Sequence, residues 1–329
     1  MEYAQLGKSG IKVSRICLGC MGFGDANLGH HAWVLDELHS KEIIKAALDN
    51  GINFFDTAMG YAGGTSEEYL GRSIKALTAR QNAVIATKFL PRTDDEIASG
   101  VSGQKHVSNC LDNSLKRLGT DYVDLYICHM WDYHTPIEEI MEGLNAAVKQ
   151  GKVRAIGISN SYAWQLEKAN AIAERNGWAK FVSVQGHYNL LFREEEREMV
   201  PCCEENNIAL TPYSPLASGR LVKPADETTK RLETDTVAKS KYDNTKEQDS
   251  VIIERVAELA EKRGLTRTQI ALGWLLTKAT APIVGATKVK HIEDAVAAVG
   301  VKLTAEEVAY LEETYVPHKL VGVMQFNHK

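Results

Sequence analysis

Residues 122–159 read YVDLYICHMWDYHTPIEEIMEGLNAAVKQGKVRAIGIS: a strand-like run (122–129), a helical pattern closed by Gly151, and a second strand-like run (154–159). Two parallel strands cannot be joined by a tight turn, so a helix between two such runs predicts a crossover in a parallel sheet. The unit recurs along the chain. Further strand candidates lie at 16–21, 53–56, 83–88, 181–185, 208–213 and 282–285, which with the two above makes eight. Helical spacings such as Ile43, Ile44, Ala47, Leu48 and Val107, Leu111, Leu115, Leu118 fill the intervals. Gly51, Gly119, Gly151 and Gly177 stand where such helices stop. Eight units predict a closed (β/α)8 TIM barrel rather than an open sheet, because no Gly-x-Gly-x-x-Gly fingerprint follows an early strand. A hairpin around Gly7 to Gly10 precedes the barrel. A charge- and Thr-rich excursion (216–249) after strand seven is expected to lie over the active face as a long loop. Residues 315–329 form a C-terminal extension, placed either over the pocket or against another subunit. No linker divides residues 1–329, and barrels of about 250 residues or more form one unit, so a single domain is expected.

A barrel gathers the C-termini of its strands on one face, where barrel enzymes place their chemistry. Asp56 and Tyr61 in NFFDTAMGY, Lys88 in AVIATKF and His129 in VDLYICH all fall there, with Ser159, Gln185 and Tyr213. This set suits hydride transfer to a carbonyl, whose oxygen must gain a proton as its carbon gains hydride. A free phenol has a pKa near ~10, so its phenolate needs a neighbouring cation. Tyr61 is accordingly expected as general acid, Lys88 as its cationic tuner, Asp56 as the ion-pair partner of Lys88, and His129 as the donor that orients the substrate oxygen.

Composition excludes several other classes. An apolar fraction of 44% over 329 residues supports a large core without staples. A net charge of −5, with Lys and Arg dispersed, gives no attraction to a phosphate backbone, so nucleic acid is not an expected partner. No stretch reaches the ~18 apolar residues of a membrane helix, and the N-terminus MEYAQLGKSGIKVSR lacks an apolar h-region. A cytosolic protein is therefore expected. Six cysteines are too few for a disulfide framework. Cys17 and Cys20 have CxxC spacing but no second pair, and Cys202 and Cys203 sit in a helical pattern, so no metal site is expected.

With these residues in view, the chain resembles the aldo-keto reductase superfamily over nearly its whole length, from LGKSGIKVSRICLGCMGFG (6–24) to YVPHKLVGVM (315–324). The stretches GHHAW, HYNLLFREEEREM, YSPLASGRL and ETTKRL are similar to a bacterial YajO-like branch, itself similar to aryl-alcohol dehydrogenases. The resemblance implies NAD(P)H bound across the barrel mouth, with Met21, Gly22 and Asp56 beside it. Ser159, Asn160 and Gln185 match positions that bind the nicotinamide carboxamide, and Tyr213 the position that stacks on its ring. Ser214, Leu216 and Ser218 match the pyrophosphate loop, to which Arg220 adds charge. Within GATKVKHIEDA, Gly285, Thr287, Lys288, His291 and Asp294 lie on the adenosine side. Thr287 and Lys288 favour NADP. His291, where many NADP-dependent relatives carry arginine, weakens that preference and leaves NAD open. Trp33, Met59, Phe89, Trp131, Tyr133 and Tyr188 are expected to line the substrate mouth for an apolar or aryl carbonyl. Two alternatives stay open: a lyase or aldolase in which Lys88 forms a Schiff base, and a cofactor-sensing regulatory subunit.

Overall fold

Short, largely apolar runs form ten strands in the computed structural model, which describes residues 1–29, 33–223 and 235–326, and the barrel strands are buried on both faces. ETTKRL and the middle of GHHAW lie outside the described residues. Strands β1 (Tyr3–Gln5) and β2 (Lys12–Ser14) form the expected antiparallel hairpin. The barrel strands are β3 (Cys17–Gly19), β4 (Phe54–Asp56), β5 (Val84–Phe89), β6 (Val123–Cys128), β7 (Val153–Ser159), β8 (Phe181–Gln185), β9 (Ala209–Leu210) and β10 (Ile283–Gly285). All eight are parallel, in the order β10-β3-β4-β5-β6-β7-β8-β9. Closure comes at the end of β9 and just beyond it: Thr280 N–H donates to Leu210 O at 2.9 Å and Ile283 N–H to Pro212 O at 2.9 Å. Helices cover the outside, and Gly51, Gly119, Gly151 and Gly177 take the positive φ (63 to 79°) that a left-handed C-cap requires.

Successive side chains on a strand point to opposite faces, which sorts the barrel into two cores. Phe54, Val84, Ala86, Leu125, Ile127, Ala155 and Ala209 point inward and pack with Leu6, Ile11 and Val13 of the hairpin, which plugs the bottom. Phe55, Ile85, Phe89, Tyr126 and Ile156 point outward to the helices. Continuing the inward rows to the other end gives Phe54→Asp56, Val84→Ala86→Lys88, Leu125→Ile127→His129 and Ala155→Gly157→Ser159. The apolar rows thus turn polar at one rim.

The 216–249 excursion differs from a plain loop. A helix forms at Thr236–Tyr242, capped by the Asp235 carboxylate accepting from Ala238 N–H at 2.9 Å, and Lys246–Arg263 forms another. Burial of Tyr242, whose hydroxyl lies 2.6 Å from His187 Nε2, draws the first helix onto the chain after β8. The C-terminal extension folds back on the same region. Tyr315 OH donates to Glu194 (2.7 Å) and accepts from Arg193 N–H (2.8 Å), and His318 lies 3.0 Å from Asp249. Among the described residues no helix is long and apolar enough to cross a membrane, and no cluster of three His, Cys, Asp or Glu side chains is placed to hold a metal. All six cysteines are free thiols.

Candidate functional site

Lys88 is the hub of the rim. Its side chain is fully buried, and an ammonium can sit there only if acceptors replace water. Nζ donates to Asp56 Oδ1 at 2.6 Å, Thr57 O at 2.8 Å and Tyr61 OH at 3.1 Å. Burial alone lowers its pKa, but Asp56 and Tyr61 outweigh that and hold it above the ordinary lysine value, so it is a cation at neutral pH. Gln185 Nε2–H donates to Asp56 Oδ2 at 2.9 Å, so both carboxylate oxygens are engaged.

Tyr61 opens a tight turn (Tyr61–Gly64) in which Ala62 takes φ 47°, a left-handed conformation costly for alanine. That turn swings the phenol back over β4. Its ring meets the His129 imidazole edge-on, with centroids 5.7 Å apart at 82°. Expectation and structure differ on its acidity. Burial raises the Tyr61 pKa above the usual phenol value, and the ammonium of Lys88 offsets only part of that rise. The phenol is thus a stable proton reservoir at neutral pH. Burial, reinforced by the charge of Lys88, pulls His129 down to about 3, so its imidazole is neutral. Its Nδ1 is buried with no hydrogen-bond partner among the described residues.

The residues expected around the cofactor form a connected arc. Ser159 Oγ donates to Gln185 O (2.8 Å), Asn160 Nδ2–H donates to His129 O (2.9 Å), and Tyr213 OH donates to Asn160 Oδ1 (2.9 Å). Asn160 (φ 51°), Ser214 (55°), Ala217 (49°) and Ser218 (56°) share with Ala62 a positive φ rare outside glycine. Such strain persists where surrounding structure over-determines it, and here it is concentrated around one rim. Leu216 precedes the short turn Ala217–Gly219. Arg220 pairs with Asp243 at 2.6 Å, and its buried Nη1 has no hydrogen-bond partner among the described residues. Met21 and Gly22 follow β3, with the Trp33 ring packed against Gly22. Gly285 ends β10, and Lys288 is the N-cap residue of the helix Val289–Ala298. Thr287 N–H donates to His291 Nδ1 at 3.3 Å, and burial followed by Lys288 lowers the His291 pKa. Asp294 lies on the same helix and pairs through Oδ1 with Lys290 at 3.0 Å.

Among the expected substrate residues, Met59 and Trp131 are partly buried against the core at the rim, and Trp131 packs with Trp164 at 5.9 Å. Tyr133 OH accepts from Gln165 Nε2–H at 3.1 Å, beside the start of a helix. Two expectations are corrected. Phe89 adjoins inward-facing Lys88 and so points to the helices, packing on Tyr126 at 4.9 Å. Tyr188 is buried behind the rim, edge-on to Trp274 at 5.5 Å, with its hydroxyl donating to Glu196 at 2.6 Å. Residues missed from the sequence include Thr57, which contributes a carbonyl to Lys88, and His187, which stacks on Tyr213 at 5.3 Å and 9°. A backbone acceptor leaves no signal in residue type. His187 stands two residues past Gln185, and its position beside a strand end was the available clue.

The Aldo/keto reductase family model matches residues 15–316. A versiconal hemiacetal acetate reductase of Aspergillus parasiticus is 42% identical, covering 96% of this chain and 98% of that protein. A Schizosaccharomyces pombe protein bearing the name putative aryl-alcohol dehydrogenase is 40% identical, with 97% of each chain covered. The crystal structure of a thermostable aldo-keto reductase in complex with the inhibitor epalrestat superposes with a TM-score of 0.77 at 29% identity, covering 95% of this chain and 100% of that one.

Proposed function

Because the chain belongs to the aldo/keto reductase family, and is thus an NAD(P)H-dependent oxidoreductase of carbonyls or the matching alcohols, we propose that Tyr61 is its general acid and NADP(H) its preferred nucleotide. The observation that carries this reading is Lys88 Nζ, shared between Asp56 Oδ1 at 2.6 Å and Tyr61 OH at 3.1 Å on the rim. Bound NAD(P)H supplies the hydride. Tyr61 gives its phenolic proton to the carbonyl oxygen, and the fixed charge of Lys88 stabilises the phenolate left behind. Asp56 and Gln185 hold that charge in place. Neutral His129 donates a ring N–H to the same oxygen and orients it. In the reverse direction the Tyr61 phenolate takes the alcohol proton.

The chain fits the nucleotide. Left-handed Ser214, Ala217 and Ser218 shape a tight polar turn after Tyr213, beside Arg220, whose Nη1 has no hydrogen-bond partner among the described residues, and the Ser214 and Ser218 hydroxyls with this guanidinium suit a pyrophosphate. Ser159, Asn160, Gln185 and Tyr213 serve the nicotinamide end with Met21 and Gly22 beside it, and Gly285, where an added Cβ would meet no atom within 4 Å, leaves room for a close approach. Thr287 and Lys288 at a helix N-terminus serve a 2′-phosphate. Measured kcat/KM is expected to favour NADPH over NADH by about tenfold or more, with Lys288→Ala losing most of that preference, since a charged hydrogen bond is worth about 1.5–3 kcal/mol. Equal values for the two nucleotides in the wild type would remove the NADP assignment.

Trp33, Met59, Trp131 and Tyr133 support an apolar or aryl aldehyde or ketone, in line with the names of the relatives. Those relatives are fungal and yeast proteins, and they support the aryl-alcohol dehydrogenase side of the resemblance rather than a bacterial branch. The 1–329 chain is taken as one working domain, supported by the hairpin plugging the barrel and the tail packing on it. Its free thiols suit a cytosolic setting. Against the lyase reading, Lys88 is held protonated by three acceptors and is therefore not nucleophilic. Steady NADPH consumption over an aldehyde panel separates the reductase from a sensor.

A further inference from the structure

One charge on the rim is used by none of these steps. Lys241, on the helix Thr236–Tyr242, places its Nζ 4.7 Å from the centroid of the Tyr213 ring. Tyr213 is itself stacked on His187 and hydrogen-bonded to Asn160. The C-terminal tail crosses above, so that a Cβ on Gly322 would meet Lys241 Cε at 2.8 Å. No carboxylate forms an ion pair with Lys241 among the described residues. Burial pulls its pKa down to about 8 against the opposing charge of Asp235, and the ammonium still predominates at pH 7. The adjoining His187 is held neutral by burial and by this same ammonium, so it adds no second charge. The excursion therefore delivers a cation without an ion pair among the described residues to the ring of Tyr213.

We propose that Lys241 is a redox-state discriminator, a cation that lowers the affinity for the oxidised nucleotide relative to the reduced one and so biases the enzyme toward carbonyl reduction. The inference rests on the reading of Tyr213 as the platform for the nicotinamide ring. Hydride transfer converts a neutral dihydronicotinamide, a proton and a carbonyl into a cationic nicotinamide and an alcohol. The phosphates and adenosine are the same in both forms, so a cation near the ring acts on the difference. Two like charges within several ångströms at a protein surface repel enough to change an equilibrium by about tenfold. Lys241 thereby favours release of the spent nucleotide without touching substrate.

The test is binding, read from quenching of the five tryptophans by NADP+ and by NADPH at pH 7 in wild type, Lys241→Met and Lys241→Arg. The Kd ratio of NADP+ to NADPH is expected to fall about tenfold in Lys241→Met and to persist in Lys241→Arg. An unchanged ratio in Lys241→Met overturns the proposal. So does equal weakening of both forms, which would make Lys241 a phosphate contact. Failure of NADPH to bind the wild type at all is a different outcome, and it defeats the cofactor reading on which this one stands.

Discussion

Tyr61→Phe is expected to lower kcat for carbonyl reduction by about 10²–10⁴-fold while leaving the Kd for NADPH nearly unchanged. The substitution removes one oxygen. It keeps the ring that meets His129 edge-on at 5.7 Å, and Lys88 retains Asp56 and Thr57 as acceptors. The pH profile supplies an independent check. Burial holds the Tyr61 pKa above its ordinary value, so the acid form needed for reduction persists through neutrality. The reduction rate of the wild type should accordingly stay flat to about pH 9 and fall only above the usual phenol range near ~10. Oxidation of the alcohol requires the phenolate and should rise with pH over that same interval. His129, already neutral above about 3, contributes no transition between pH 5 and 8. Stopped-flow single turnovers with a reactive aldehyde measure the first effect, and a Tyr61→Phe enzyme turning over at the wild-type rate would remove Tyr61 as the proton donor.

The barrel was legible because its signal is local and repeated. Each strand alternates in and out, several helices are followed by a glycine at positive φ, and the unit recurs eight times, so errors of a residue or two at an end change nothing. Asp56, Lys88 and His129 were legible for the same reason: each extends an inward row by one polar step at the C-terminal rim. Phe89 could have been excluded on that rule, since a neighbour of inward Lys88 must face outward. Tyr188 could not. Its burial depends on Trp274, 86 residues away in sequence and brought beside it only by the closed fold. The excursion hid its helix because a short, charged segment has little propensity of its own and is stabilised by burying Tyr242 against His187. Lys241 was invisible in turn, since its placement over Tyr213 follows from that docking.

Lys88→Met carries the second large effect, and it tests structure and chemistry together. Asp56 is 3% exposed, so removing its cation strands a carboxylate in the interior with Gln185 as its side-chain donor. Breaking a buried pair this way costs about 3–5 kcal/mol, measured as a loss in urea or thermal unfolding. Turnover should fall by about 10²–10³-fold in addition, the usual result of removing one donor to a developing oxyanion. The two losses are separable. Lys88→Met with Asp56→Asn neutralises both partners, keeps an amide oxygen able to accept from Gln185, and should recover most of the stability while recovering none of the rate. Recovery of both would mean that Lys88 acts only by supporting the fold, leaving the proton of Tyr61 to move without it. Loss of both in the double variant would mean that the Lys88 hydrogen bonds to Thr57 O and Tyr61 OH stabilise the rim more than its pairing with Asp56 does.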